Sequence, residues 1–201
     1  MTRGPVRATS GVKRGSREAL FVVIYVLVGL VAAALAGYVT LGRLLFQQHL
    51  ILLRYLVFGL SASLIYLAIR TGNWGHSLYL AALMFVGYVA LTPPLRLRTG
   101  INGIAWTVPV SGAFILSSFL FRRLSRLPLG KFIIMGLLAG IGYGIGTILF
   151  LVINPIPLSW PLVLDQAIAG LRLGGLLGFG FEAVDYVRSR ASRPAEPGAT
   201  G

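Results

Sequence analysis

The chain has 201 residues, 56% of them hydrophobic and 11% charged, and its 18 Lys and Arg against 5 Asp and Glu give a net charge of +13. A mean hydropathy of +0.84 leaves too few charges to cover the surface of a soluble domain this large, which excludes an ordinary water-soluble enzyme. There is no cysteine, so disulfide frameworks and thiolate metal sites are excluded too.

Residues 1–17 are basic and polar. From Ala19 to Gly42 there follow 24 residues without Asp, Glu, Lys or Arg, more than the about 20 that a helix needs to cross a hydrocarbon core. The first span is therefore Leu20–Leu41. Its Arg-rich lead and Ala34-Leu35-Ala36 also fit a secretory signal with its cleavage site. The apolar run is longer than a usual signal core, so it is read as a retained helix.

The second span, Leu50–Ile69, carries Arg54 near its start. The third, Trp74–Leu91, is stopped by Thr92-Pro93-Pro94, because proline lacks the amide proton and disfavours helical geometry in the residue before it. The fourth, Gly103–Phe121, contains Pro109, which is expected to kink it and free a carbonyl toward a cavity. The fifth, Phe132–Ile153, ends at Asn154-Pro155-Ile156-Pro157. The sixth, Leu162–Phe181, contains Asp165 and Arg172. Residues 1–17 and 188–201 read as disordered tails around an 18–187 bundle. The expected fold class is all-α, a polytopic helical membrane protein of about six transmembrane helices with short loops. A transmembrane barrel would show alternating ten-residue strands instead.

The basic residues orient the bundle. With the N-terminus inside, 13 of the 18 Lys and Arg fall in cytoplasmic segments, Arg43, Arg96 and Arg98 fall outside, and Arg54 and Arg172 lie within helices. The expected location is a cytoplasmic (inner) membrane, multi-pass, with both termini in the cytoplasm. The expected partners are the lipid bilayer and its anionic headgroups on the cytoplasmic side, with no nucleic acid. A membrane partner subunit or a homo-oligomer stays open.

Glycines recur every four residues at Gly136, Gly140 and Gly144, and again at Gly170, Gly174 and Gly178. A milder row is Gly29, Ala33 and Gly37. Lipid gives helices no hydrophobic reason to associate, so small residues that allow close backbone approach must supply the contact. The fifth and sixth helices are expected to pack through these rows, and a row left unpaired is expected to hold a partner helix. Gly37-Tyr38, Gly87-Tyr88 and Gly142-Tyr143 hint at a threefold hairpin repeat. Interfacial tyrosine and packing glycine, which recur regardless of ancestry, explain them better. Gly178-Phe179-Gly180-Phe181-Glu182-Ala183 fits a dinucleotide fingerprint but lacks the preceding strand that motif needs.

The polar residues inside the spans carry the functional expectation. A charge at a helix centre costs about 2.5–3.5 kcal/mol on insertion scales and must face protein, water or a partner. Arg172, Asp165, Arg54, Gln166 and His49 are the expected solute-binding set, with Arg54 paired to Asp165 and Arg172 deeper on the same face. Planar guanidinium groups suit an anionic or carboxylate-bearing solute. Glu182 and Asp185 read as helix-face ion pairs with Arg188, and Ser61, Ser63, Ser111, Ser117 and Ser118 as hydrogen bonds between helices. No zinc-protease motif, nucleophile elbow or phosphate loop is present, so no catalytic residue, metal or cofactor is expected. In size and topology alone, the six short helices resemble the small substrate-capturing subunits of energy-coupling-factor vitamin transporters. The leading expectation is a small-solute transporter or its membrane subunit. The alternatives are a non-catalytic scaffold that packs partner helices through its glycines and, third, an intramembrane enzyme acting on lipid.

Overall fold

The computed structural model describes residues 9–42, 49–92, 97–124 and 129–191. Over these residues the chain forms six α-helices and no strand. They are α1 (Thr9–Leu41), α2 (His49–Arg70), α3 (Trp74–Ala90), α4 (Leu97–Leu124), α5 (Gly130–Ile153) and α6 (Trp160–Ala191). All except α3 are long and apolar enough to cross a membrane. With 17 residues, α3 is roughly 26 Å long.

Three helices overrun the apolar stretches that announce them. α1 begins at Thr9, inside the basic segment expected to be unordered, α4 begins at Leu97, and α6 continues to Ala191. Hydropathy marks where a helix enters hydrocarbon, whereas a nucleated helix propagates through any good helix formers next to it. Arg, Lys and Glu are such residues. The remainder of the expected disordered tails, residues 1–8 and 192–201, lies outside the described residues. Two turns rest on glycine: α1 ends at Gly42 (φ 57°) and α2 at Gly72 (φ 84°), a left-handed conformation that costs other residues about 1 kcal/mol or more. After Gly72, the Asn73 N–H returns to the Ala68 carbonyl at 2.9 Å, so α3 doubles back at once.

Each helix packs on its sequence neighbours, and α6 closes on α1 while α2 also reaches α4 and α6. The helices therefore form a ring with α2 pressed toward its middle. The start of α1 and the end of α6 lie at one end, called the terminal end below. Tyr25, Ile65, Phe114, Met135, Leu173 and Phe181 fill the interior. The perimeter is apolar as well: Leu27, Val31, Leu137, Ile141, Val152 and Leu164 are all more than half exposed. A perimeter of this kind fits helices that cross a membrane.

The α5–α6 seam is the broadest contact, as the glycine rows predict, and the two rows contribute unequally. A Cβ on Gly170, Gly174 or Gly178 would lie 2.6, 2.2 or 2.3 Å from the carbonyl oxygens of Ala139, Met135 and Lys131. Only glycine allows that approach. Gly136 and Gly140 are looser, 3.3 and 3.0 Å from α6 carbonyls, and Gly144 meets nothing closer than 3.7 Å. Gly142 and Gly146 face the other way and admit Pro109, Ala113 and Trp106 of α4. In α1, Gly29 sits against Ser63 and Gly59 of α2, and Gly37 is buried.

The expectation that serines bridge helices is corrected for four of the five. Ser63, Ser111, Ser117 and Ser118 donate to carbonyls three or four residues earlier in their own helices, at 2.6 to 2.9 Å. The local acceptor is always within reach, so a buried hydroxyl satisfies itself without a neighbouring helix.

Candidate functional site

At the end of the bundle away from the start of α1, α2 to α6 line an open cavity of about 340 Å³. Its walls are aromatic: Tyr55 and Phe58 from α2, Tyr88 from α3, Trp106 from α4, Tyr143 and Phe150 from α5. Phe58 stacks on Tyr88 with centroids 6.4 Å apart. It meets Tyr143 edge-on at 6.2 Å, and Trp106 meets Tyr143 edge-on at 5.7 Å. Offset and edge contacts at these distances are favourable and hold the rings in place. Helical spacing brings the residues together: Ile51, Arg54, Tyr55 and Phe58 share one face of α2, and Tyr143, Thr147 and Phe150 share one face of α5. Thr147 donates to the Tyr143 carbonyl at 2.9 Å. Arg54 and Gln166 are the other polar lining residues.

Arg54 donates from Nε and Nη2 to the Leu91 carbonyl, at 3.1 and 2.8 Å, and lies 5.6 Å from the centre of the Tyr88 ring. It makes no ion pair with Asp165 among the described residues, so the expected pairing gives way to a helix cap. The same device appears twice more at this end. Arg172 reaches the Val39 carbonyl in the last turn of α1 at 3.5 Å, and Arg98 donates to the Asn154 side chain at the end of α5 at 2.8 Å. The C-termini of α1, α3 and α5 lie at this end beside the N-termini of α2, α4 and α6, and a cation next to the last carbonyls of one helix is worth about 0.3–1 kcal/mol.

Of the expected site residues, the structure brings Arg54 and Gln166 into the cavity and leaves the other three outside its walls. Arg172, Asp165 and His49 are exposed. The Arg172 guanidinium extends toward the end of α1 and so escapes the depth assigned to its backbone.

A second polar cluster closes the terminal end, and its centre is Asp185. Arg70 of α2 and Lys131 of α5 both form salt bridges to its carboxylate, and Tyr25 of α1 donates to it. Tyr66 of α2 donates to the other carboxylate oxygen at 2.5 Å. Arg70 also donates to Tyr25 at 2.5 Å, and Lys131 to Tyr66 at 3.3 Å. Asp185 thus ties four helices together, which goes beyond the helix-face pairing expected of it. Local spacing hid this, since its partners come from 54 to 160 residues away. Glu182, one turn earlier, accepts the Leu129 N–H at 2.8 Å and caps α5. Among the described residues no group of three or more His, Asp or Glu could hold a metal ion.

The fold and these two clusters define a polytopic helical membrane protein, tied shut by ion pairs at one end and hollow at the other. Compared with family models, curated proteins and solved structures, the chain matches none. Its function therefore rests on the site itself.

Proposed function

We propose that the protein binds a small solute in the aromatic cavity, as a transporter or as the membrane subunit of one. The observation that carries this reading is the cavity of about 340 Å³ with Arg54 and Gln166 among aromatic walls. Ligand sites are concave and mostly apolar, with few polar groups fixing orientation, and run from about 300 to 1,000 Å³. The asymmetry of the bundle supports a carrier. The Asp185 network joins α1, α2, α5 and α6 at one end, while the other end admits a ligand. With the termini in the cytoplasm, as the basic residues favour, the cavity faces outward and the Asp185 network is the inner closure. The scaffold alternative loses its main support, because both glycine rows face helices of the same chain.

A thermal-shift screen of small solutes on the protein in lipid nanodiscs tests the reading. Solutes that raise the unfolding temperature are expected to lose that effect in Thr147→Trp, which fills the cavity. A solute equally effective on that variant would place binding elsewhere. Arg172→Ala is expected to leave the shifts unchanged, because Arg172 is exposed and lines no part of the cavity.

A further inference from the structure

We infer that the solute is a flat aromatic monocarboxylate. This rests on the proposed solute cavity and names its ligand class. Charge decides the first half. Of the 5 acidic residues in the chain, Glu18, Glu182 and Asp185 belong to the terminal end and Glu196 lies outside the described residues. That leaves Asp165 as the acid of the cavity end, and it is exposed and contributes nothing to the lining. Against it stands Arg54 in the wall, the one charged side chain among the lining residues. A low-dielectric cleft lined by one sign of charge concentrates the opposite sign, so the cavity selects anions and rejects amines.

Arg54 sets the anion's chemistry. Two of its five N–H donors point to Leu91, which leaves three for a ligand. The cap also fixes the guanidinium plane beside Tyr88, so a planar carboxylate can take two parallel hydrogen bonds at little further entropic cost. One such group limits the solute to one carboxylate. Elsewhere the walls are the rings of Tyr55, Phe58, Tyr88, Trp106, Tyr143 and Phe150. Rings prefer offset-stacked and edge contacts with other rings, and a flat solute gains these where a flexible chain gains only area. The volume, near the lower end for ligand sites, favours one or two fused rings.

The test is calorimetric titration of the full chain in lipid nanodiscs, with empty nanodiscs as reference. The probes are 2-naphthoate, 2-naphthylmethanol, 2-naphthylmethylamine and octanoate. The acid is expected to bind roughly tenfold or more tightly than each of the others. Arg54→Gln should bring acid and alcohol to similar affinity, and Arg54→Lys should retain part of the preference. If the arginine variants do not fold, the order of the four probes on the unaltered protein decides. Alcohol or amine binding as tightly as the acid overturns the inference, as does octanoate matching naphthoate or no probe binding. In that event Gln166→Cys, at a half-buried lining position in a chain that has no other cysteine, separates the two claims. Modification of the thiol by a small water-soluble methanethiosulfonate leaves the cavity standing and the ligand class wrong, and a thiol that never reacts overturns both.

Discussion

Asp185→Asn is expected to lower the stability of the purified protein by about 3 kcal/mol, toward the lower end for breaking a buried ion pair. The carboxylate holds Arg70 and Lys131 together with two tyrosine hydroxyls, and its side chain is only 18% exposed. An amide of the same shape leaves both cations facing each other without the carboxylate that bridges them. The cost therefore comes mainly from the stranded charges, which a second substitution can remove. Lys131→Met in the Asp185→Asn background should restore about 2 kcal/mol, a coupling within the range for residues in contact. Thermal and denaturant unfolding of the four proteins of this cycle, in one detergent, measures it. Additive losses would mean that Asp185 is not the hub described.

Gly174→Val is expected to be at least as damaging, costing about 3 kcal/mol or more as the upper part of the overpacking range. A Cβ at Gly174 meets the Met135 carbonyl oxygen at 2.2 Å and the Ala139 Cβ at 2.6 Å. Backbone cannot move aside as a side-chain tip can, so α5 and α6 must separate along their whole seam. Gly144→Ala provides the contrast, since its Cβ would sit 3.7 Å from Ala167 at ordinary contact distance. That substitution should be neutral or stabilise by up to about 1 kcal/mol through the unfolded chain. The two variants occupy equivalent places in the same sequence pattern. Equal losses would contradict the packing described for the seam.

That contrast shows where sequence reading stops. The apolar runs located all six helices, because crossing hydrocarbon imposes both a length and a composition that can be counted. The four-residue spacing of glycine identified the α5–α6 seam. It could not say that Gly170, Gly174 and Gly178 touch backbone while Gly144 does not, because that depends on a rotation of a fraction of a turn. Arg54 and Gln166 stood out as polar residues in apolar company. The aromatic walls did not: Phe58, Tyr88, Trp106 and Tyr143 look like ordinary lipid-facing or interfacial residues until four helices converge. The spacing of Tyr143, Thr147 and Phe150 on one face of α5 was the available signal. Tyr88 and Tyr143, noticed as parts of a repeated dipeptide, both line the cavity, whereas Tyr38 is 49% exposed. Asp185 was hidden for a related reason. Its partners Tyr25, Tyr66, Arg70 and Lys131 share a depth in the bundle but no proximity in the chain, and only antiparallel packing of α1, α2, α5 and α6 aligns them.

The proposed function requires a water-accessible cavity that opens on the membrane face opposite the start of α1 and the end of α6. Single-cysteine labelling in intact cells tests it most directly, using a membrane-impermeant maleimide on Gln166→Cys at the cavity and Ser189→Cys near the end of α6. The account predicts that the thiol at 166 is modified in intact cells and that the thiol at 189 is modified only after the membrane is permeabilised. The reverse order, or a thiol at 166 that never reacts, would contradict it.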